Sequence, residues 1–591
     1  MLRIAVVLRP SIMRRFGGCM LICRRQLQSS AGQLTAKLRH CHKASDVIGL
    51  VNTALGSERM DGVLWAAAVQ RLSLLEMRGK PSRESWALLL GMADSSLQDL
   101  GYRELAVVAV AISKLKKDPG GRKHFLNAVF RNALLLNARD QSMSVRHLAN
   151  LAWSAAAAKV QARRLFEVAA AAQSQEQSRC LNPRDVSQLL WAFARSSHFQ
   201  LGVEVLENLA SCHASLHMLP TFGDHDIAAT VWAGATLATH LMPREKGRLF
   251  LKQIAAHAAE RSSEFSPQGF SMLFWGTATL ASKGLDMPNT ALTAACAPHV
   301  VSVARRLTTQ GAANILWSLS TLAKIDPDVA AKIVEEIRDV GSVSSSSTND
   351  GQGRQENPGI IEALLEEIVR KLSSCNGQDI ANSLWAVANI GYLGPSAVSL
   401  FNRIAEDPDA IPVHLFSAQE CANSLWAIAR SRWSGDPQKF VRRVCARIES
   451  FARLDEQSLS ITVWALAVLG HRHSALPLLG NSGLNLKNLN SFPNASLCLL
   501  IWTCGMLGIR ESPFPALVVA LRCRARELTP SQLSVVARTL AGLWPRFADL
   551  KIKTECCFTT PCLLFQGLRP RAGSAGRSLE QGHAAPSAEP R

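Results

Sequence analysis

Arg146, Arg184, His225, Gln268, Gln310, Gln378, Gln419 and Gln457 each stand seven residues before a tryptophan. Guanidinium and amide groups donate hydrogen bonds, and glutamine accepts them as well. An amide can pair with a base edge, and Arg can pair with guanine or a phosphate oxygen. Side chains that return once per repeat could form a ladder along one rim. In a helical-repeat RNA binder, one repeat reads about one base through a few side chains. A glutamine near a helix start also suits capping, and the sequence leaves both roles open.

Other chemistry finds little support. The chain has no Walker-type phosphate loop, no GxGxxG after a strand, and no GxSxG or HExxH pattern. "GQGRQENPG" has no flanking strand. Carboxylates such as those of "EALLEEIVRKL" read as a solvated helix face. "HCH" (His40–His42), "HRH" (His471–His473) and "CHASLH" (Cys212–His217) lack a second ligand cluster, so no metal is expected. The fifteen cysteines form no CxxC, which points to a reducing compartment. The expectation is a non-enzyme without cofactor.

The elements that hold the ladder are written in a phrase. "DIANSLWAVANIGYLGP" returns as "ECANSLWAIARSRWSGDP", "GAANILWSLSTLAKIDP" and "RHLANLAWSAAAAKV". With Trp385 as register zero, the same position falls on Trp65, Val110, Trp153, Trp191, Trp232, Trp275, Trp317, Trp426, Trp464, Trp502 and Arg538. Most spacings are 36 to 45 residues, the mark of a solenoid. Nine residues before the register stand Ser144, Asn182, Ser266, Thr308, Asn376, Ser417, Asp455 and Thr529. These are helix N-cap types. Pro183, Pro267 and Pro530 follow at the first helical position.

Positions four before and three after the register are small, as at Ala381 and Ala388 or Ala422 and Ala429. Small residues admit a neighbouring helix, and the indole fills the remaining space. The tryptophans therefore read as core rather than as base-stacking platforms. The asparagines at Asn150, Asn314, Asn382 and Asn423 read as partners for buried backbone groups. A turn and a second amphipathic helix, such as "PSAVSLFNRIAED", complete each repeat. The fold expected is an all-α, right-handed α-solenoid of about twelve helix–turn–helix repeats, each of roughly 38–42 residues.

Nine Lys/Arg precede Asp46, the first acidic residue, so residues 1–45 read as an organellar transit peptide or a basic disordered arm. The solenoid is expected over 46–550. The gap of 68 residues from Trp317 to Trp385 holds a Ser/Gly/Asn-rich stretch, expected as a disordered insertion at 341–358. Residues 551–591 are expected to form a disordered tail. The chain carries a net charge of +19, which favours an anionic partner. Without its leader the charge is +10, and over 46–550 it is +7. The basic pairs Arg163–Arg164, Arg305–Arg306 and Arg442–Arg443 are placed on second helices, either against phosphate or solvating the outer surface. No stretch is long and apolar enough to span a membrane.

The "ANxLWAxAxL" phrase, its period and the basic leader resemble the octotricopeptide-repeat (OPR) family and its RAP-associated helical-repeat relatives, over roughly residues 60 to 545. Residues 551–591 do not resemble a RAP domain. The resemblance implies a nuclear-encoded protein imported into an organelle. It implies a partner in single-stranded RNA, alongside other organellar RNA-processing proteins. The expected role is processing, stability or translation of organelle transcripts, in mitochondria or alternatively plastids. Two other readings fit the repeats: an armadillo/HEAT-like protein–protein scaffold, and a structural subunit of an organellar ribosome or processing complex.

Overall fold

A computed structural model describes residues 33–57, 60–77, 82–140, 143–175, 182–211, 219–242, 244–343, 359–407, 411–481 and 489–543. The described residues form helices and turns with no strand. The chain divides into two compact units, Met1–Leu251 and Lys252–Arg591.

In the first unit the helices carrying the register, termed A, are Gly62–Glu76, Tyr102–Ser113, Val145–Ala157, Pro183–Arg195 and Asp224–Leu241. In the second they are Pro267–Ser282, Thr309–Ile325, Gly377–Ile390, Ala418–Arg430, Glu456–Val468, Asn494–Leu507 and Pro530–Leu543. Within each unit every A helix packs against the next A helix in the chain. The second helices, termed B, form a parallel layer. Arg163–Gln175 packs on Phe199–Ser211 in the first unit, and Ile360–Arg370 on Pro395–Glu406, then on Gln438–Glu449, in the second. Each unit is thus an all-α solenoid, as the period implied.

The helix starts follow from local chemistry. In every A helix but the first, the N-cap stands nine residues before the register. Thr308 Oγ1 accepts from the Gly311 N–H at 3.0 Å, and Asn182 Oδ1 from the Arg184 N–H at 2.9 Å. Asn376 with Asp379, and Ser417 with Glu420, close reciprocal capping boxes. Such pairs satisfy first-turn donors that have no intrahelical partner. The Gly377–Ile390 helix ends at Gly391, whose φ of 78° lies in the left-handed region that favours glycine.

Small residues do what their size permits. Ala149, Ser187, Ala313, Ala381, Ser460 and Cys498 are buried. A Cβ on Gly505, three after Trp502, would lie 2.5 Å from Thr539 of the next A helix. No residue with a side chain fits there without movement, so the packing itself selects glycine.

The long gap is one repeat carrying extra chain. Thr309–Ile325 packs directly on Gly377–Ile390, although Pro327–Val343 and Ile360–Arg370 both lie between them in sequence. Both intervening helices touch Asn289–Val303 in the B layer. The Pro327–Val343 helix continues into the first positions of the segment expected as an insertion, and the rest, 344–358, lies outside the described residues. At the N-terminal end a helix occupies residues 33–40 and another spans Ala44–Gly56, so both overlap the range of the expected leader. Leu38 is buried, and Arg71 Nε donates to the Cys41 carbonyl at 2.8 Å. Residues 1–32 and 544–591, with the expected tail, lie outside the described part.

Candidate functional site

Helical geometry sorts the positions around each register residue. At about 100° per residue, positions four before and three after the tryptophan lie about 40–60° to one side of it. Positions seven before, three before and four after lie about 20–60° to the other side. The first pair forms the buried small-residue face. The second set forms a stripe that faces solvent over much of the stack. The tryptophan sits on the border between them. Trp65, Trp153, Trp232, Trp426 and Trp464 are buried, whereas Trp191, Trp275, Trp317, Trp385 and Trp502 are half-buried.

The indoles form a ladder. Ring centroids are 6.1 Å apart for Trp153–Trp191, 6.3 Å for Trp191–Trp232, 6.2 Å for Trp385–Trp426 and 6.2 Å for Trp464–Trp502. These are separations of rings in mutual contact. The rings therefore hold neighbouring helices together and leave an edge at the stripe. This refines the expectation that the tryptophans are core: five are buried, and five are half-buried beside the stripe.

All eight sequence candidates occupy the second residue of an A helix. Arg146, Arg184, His225 and Gln419 are exposed, and Gln268, Gln310, Gln378 and Gln457 are half-buried. The reciprocal capping role is already filled in two of these helices by the third residue, Asp379 or Glu420. Arg146, Arg184 and His225 belong to the first unit, and the five glutamines belong to the second.

Sequence reasoning missed part of the row. Arg103, also exposed, is the second residue of Tyr102–Ser113. It was hidden because the register residue of that repeat is Val110. Lys114 and Arg195, four after their registers, are exposed on the same stripe. Arg103, Lys114, Arg146, Arg184 and Arg195 make no ion pair with a carboxylate among the described residues. Burial and then the nearby Arg184 guanidinium hold the Lys114 ammonium below the usual lysine range. Burial, Arg146 and Arg103 likewise lower His147, against an opposing pull from Glu104. Like charges are thus gathered on one face of the first unit. The run ends at His225, which stands between Asp224 and Asp226.

Other cations have structural work. Lys371 Nζ donates to the Leu307 carbonyl at 2.6 Å, Arg447 Nε to Phe416 at 2.8 Å, and Arg524 Nη1 to Phe492 at 2.6 Å. Each accepting carbonyl lies just before the N-cap of the preceding A helix. Nothing in their spacing marks these staples, since the partners lie 31, 32 and 64 residues away in the chain. Of the expected basic pairs, Arg305–Arg306 lies on the turn Ala304–Arg306 rather than on a B helix. Arg163 is exposed and pairs with Glu167, while Arg443 Nη2 reaches the Ile411 carbonyl at 3.4 Å.

The asparagines differ from their expected role. Asn150 Oδ1 accepts from the Gln188 side chain of the next A helix at 3.0 Å, a side-chain rather than a backbone partner. Burial pushes the thiols of Cys296, Cys375, Cys421, Cys498 and Cys504 up to about 12, so they carry no thiolate at neutral pH. Among the described residues no three His, Cys, Asp or Glu side chains gather as a metal site. Cys212–His217 lies outside the described part. Among the same residues, no helix is long and apolar enough to cross a membrane. No protein-family model and no curated protein matches the chain.

Proposed function

We propose that the protein binds single-stranded RNA along the exposed stripe of its A helices, without catalysis. The carrying observation is the cationic run Arg103, Lys114, Arg146, Arg184 and Arg195 on consecutive A helices, free of carboxylate ion pairs among the described residues. Gathering like charges costs stability, and an anionic polymer along the stripe relieves that cost. The modest net charge of the repeat region does not oppose this, because several cations elsewhere, such as Lys371, Arg447 and Arg524, are tied to carbonyls and these are not. The phrase and leader that resemble OPR proteins support an organelle as the site of this RNA, with mitochondria first and plastids second. Its role there is processing, stability or translation of transcripts.

Binding of the full chain to labelled single-stranded RNA over a series of salt concentrations tests this. Changing Arg103, Arg146 and Arg184 together to Gln is expected to weaken binding about 10- to 100-fold for all sequences and to flatten the salt dependence. Absence of salt-sensitive affinity for any single-stranded RNA overturns the reading.

One observation favours a scaffold instead. A groove of about 440 Å³ lies between the B helices Arg122–Asp140 and Arg163–Gln175, lined by Phe130, Leu134 and Leu135 with Arg131 and Arg164. Leu135 is 53% exposed. An apolar floor with arginines suits an acidic, apolar peptide segment. That reading takes over if RNA binding fails.

A further inference from the structure

The last described A helix, Pro530–Leu543, is open on a side that its predecessors bury. Tyr102–Ser113, Val145–Ala157, Glu456–Val468 and Asn494–Leu507 each pack on the B helix that follows them in the chain. The position two after the register meets that B helix. A Cβ on Gly234 would lie 2.5 Å from Leu251, and one on Gly202, in a B helix, 2.8 Å from Phe193. The position five before the register shares this side, because seven residues make almost two full turns. In Ala418–Arg430 the two positions hold Cys421 and Ile428, in Glu456–Val468 Leu459 and Leu466, and in Asn494–Leu507 Leu497 and Cys504, all buried. In Pro530–Leu543 they hold Leu533 and Leu540. Leu533 is 44% exposed, Leu540 and Val536 are half-buried, and Ala537 is exposed. Among the described residues no B helix follows this A helix.

We infer that residues 547–558 of the same chain occupy this apolar face as the B segment of the last repeat. Chain position supports this occupant. In the four preceding repeats the B helix starts at Pro395, Gln438, Arg472 and Phe514, after A helices that end at Ile390, Arg430, Val468 and Leu507. Those gaps are four to eight residues, and Phe547 stands four residues past Leu543. The sequence pattern agrees. Phe547, Leu550, Thr554, Cys557 and Phe558 recur at helical spacing on one face, and Asp549, Lys551, Lys553 and Glu555 fall outside it. Pro561 follows, at the distance proline keeps beyond a helix end.

The face and the segment are matched in chemistry. Leu533, Val536, Ala537 and Leu540 offer no charge to an anion, so the face suits an apolar helix side rather than RNA or an acidic peptide. The link from Leu543 to Phe547 is short, and a short tether gives an effective concentration on the order of millimolar. That places the segment ahead of a second copy of the chain in solution. A stack of repeats needs its terminal apolar surface covered, and this segment covers it. The solenoid then runs to residue 558 rather than stopping at the expected boundary of 550.

Two measurements on the full chain test this. In the first, the Ala537→Cys variant is treated with a short bifunctional maleimide, with the parent chain as control because Cys523 is also exposed. A link within one chain between position 537 and Cys557 is expected, identified by peptide mass, and Leu550→Asp is expected to abolish it. In the second, Leu550→Asp is introduced alone and hydrogen exchange is followed. Exchange in Pro530–Leu543 is expected to rise roughly tenfold or more, while exchange around Trp426 stays unchanged because coupling runs between neighbours. This arm alters nothing in Pro530–Leu543, so it decides the matter even if Ala537→Cys fails to fold. Links found only between two chains put a second copy on the face and overturn the inference. Exchange in Pro530–Leu543 that Leu550→Asp leaves unmoved overturns it as well.

Discussion

Thr309 Oγ1 donates to Asp379 Oδ2 across 2.8 Å and joins the first turns of two A helices that stand seventy residues apart in the chain. The same Asp379 oxygen receives the Asn376 N–H, while Asn376 Oδ1 receives the Asp379 N–H at 2.9 Å. One carboxylate thus closes a capping box and bridges a repeat boundary across the longest inter-register gap. Thr309→Val removes only the bridge, at a cost of roughly 1–2 kcal/mol. Asp379→Ala removes the box as well and costs more. A double-mutant cycle by denaturant unfolding checks that the two effects are not additive.

Trp385→Ala is expected to cost roughly 3 kcal/mol, the low end for removing a large aromatic, because the ring is half-buried. Trp65→Ala is expected to cost more, about 5 kcal/mol, since that ring is fully buried and its Nε1 donates to the Leu89 carbonyl at 2.8 Å. Solenoids couple through nearest neighbours. Hydrogen exchange in Trp385→Ala should therefore rise in Thr309–Ile325 and Ala418–Arg430 and stay unchanged around Trp153. A uniform rise along the chain would contradict the ladder's local role.

Glu367 is buried and accepts from Arg370 at 2.6 Å while pairing with Lys371. Burial alone would raise its pKa, but these partners outweigh it and hold the carboxyl below its usual range. A carboxylate lowered on folding contributes stability above its unfolded value of about 4.3 and loses it as pH falls through the folded value. Glu367→Gln is expected to destabilise by roughly 1–3 kcal/mol at neutral pH. The difference from the parent should shrink in acid, read from unfolding curves at pH 7 and pH 3.

Arg447 and Arg524 separate structural from functional charge. Arg447→Gln removes the donor to the Phe416 carbonyl and is expected to cost roughly 1–2 kcal/mol. The salt dependence of RNA binding should not move. Arg146→Gln should do the reverse, because Arg146 is exposed and makes no ion pair among the described residues. If both variants change the salt slope alike, the division between staples and stripe is wrong.

The leader gives a cellular prediction. Residues 1–60 fused to a fluorescent protein are expected to enter mitochondria. Plastid import or a cytosolic signal would overturn that assignment.

The period, helix class, N-caps and second-residue row were legible in the sequence because they are local. A cap is chosen within three residues, and helical twist alone puts Gln378, Asn382 and Trp385 near one face. The small residues also announced close packing, since a stack of helices admits little else at those positions. Three things required the tertiary structure, because each depends on a partner some thirty residues or more away in the chain. The first is that Trp191, Trp275, Trp317, Trp385 and Trp502 border solvent while the other register tryptophans are buried, which follows from how far each helix is covered by its neighbours. The second is the sorting of cations: Lys371, Arg447 and Arg524 hold carbonyls just before the preceding A helix, whereas Arg103, Lys114 and Arg184 gather on one stripe. The last is the continuity of Thr309–Ile325 with Gly377–Ile390. Sequence distance hides that contact, and only the packing of their small faces brings the two helices together.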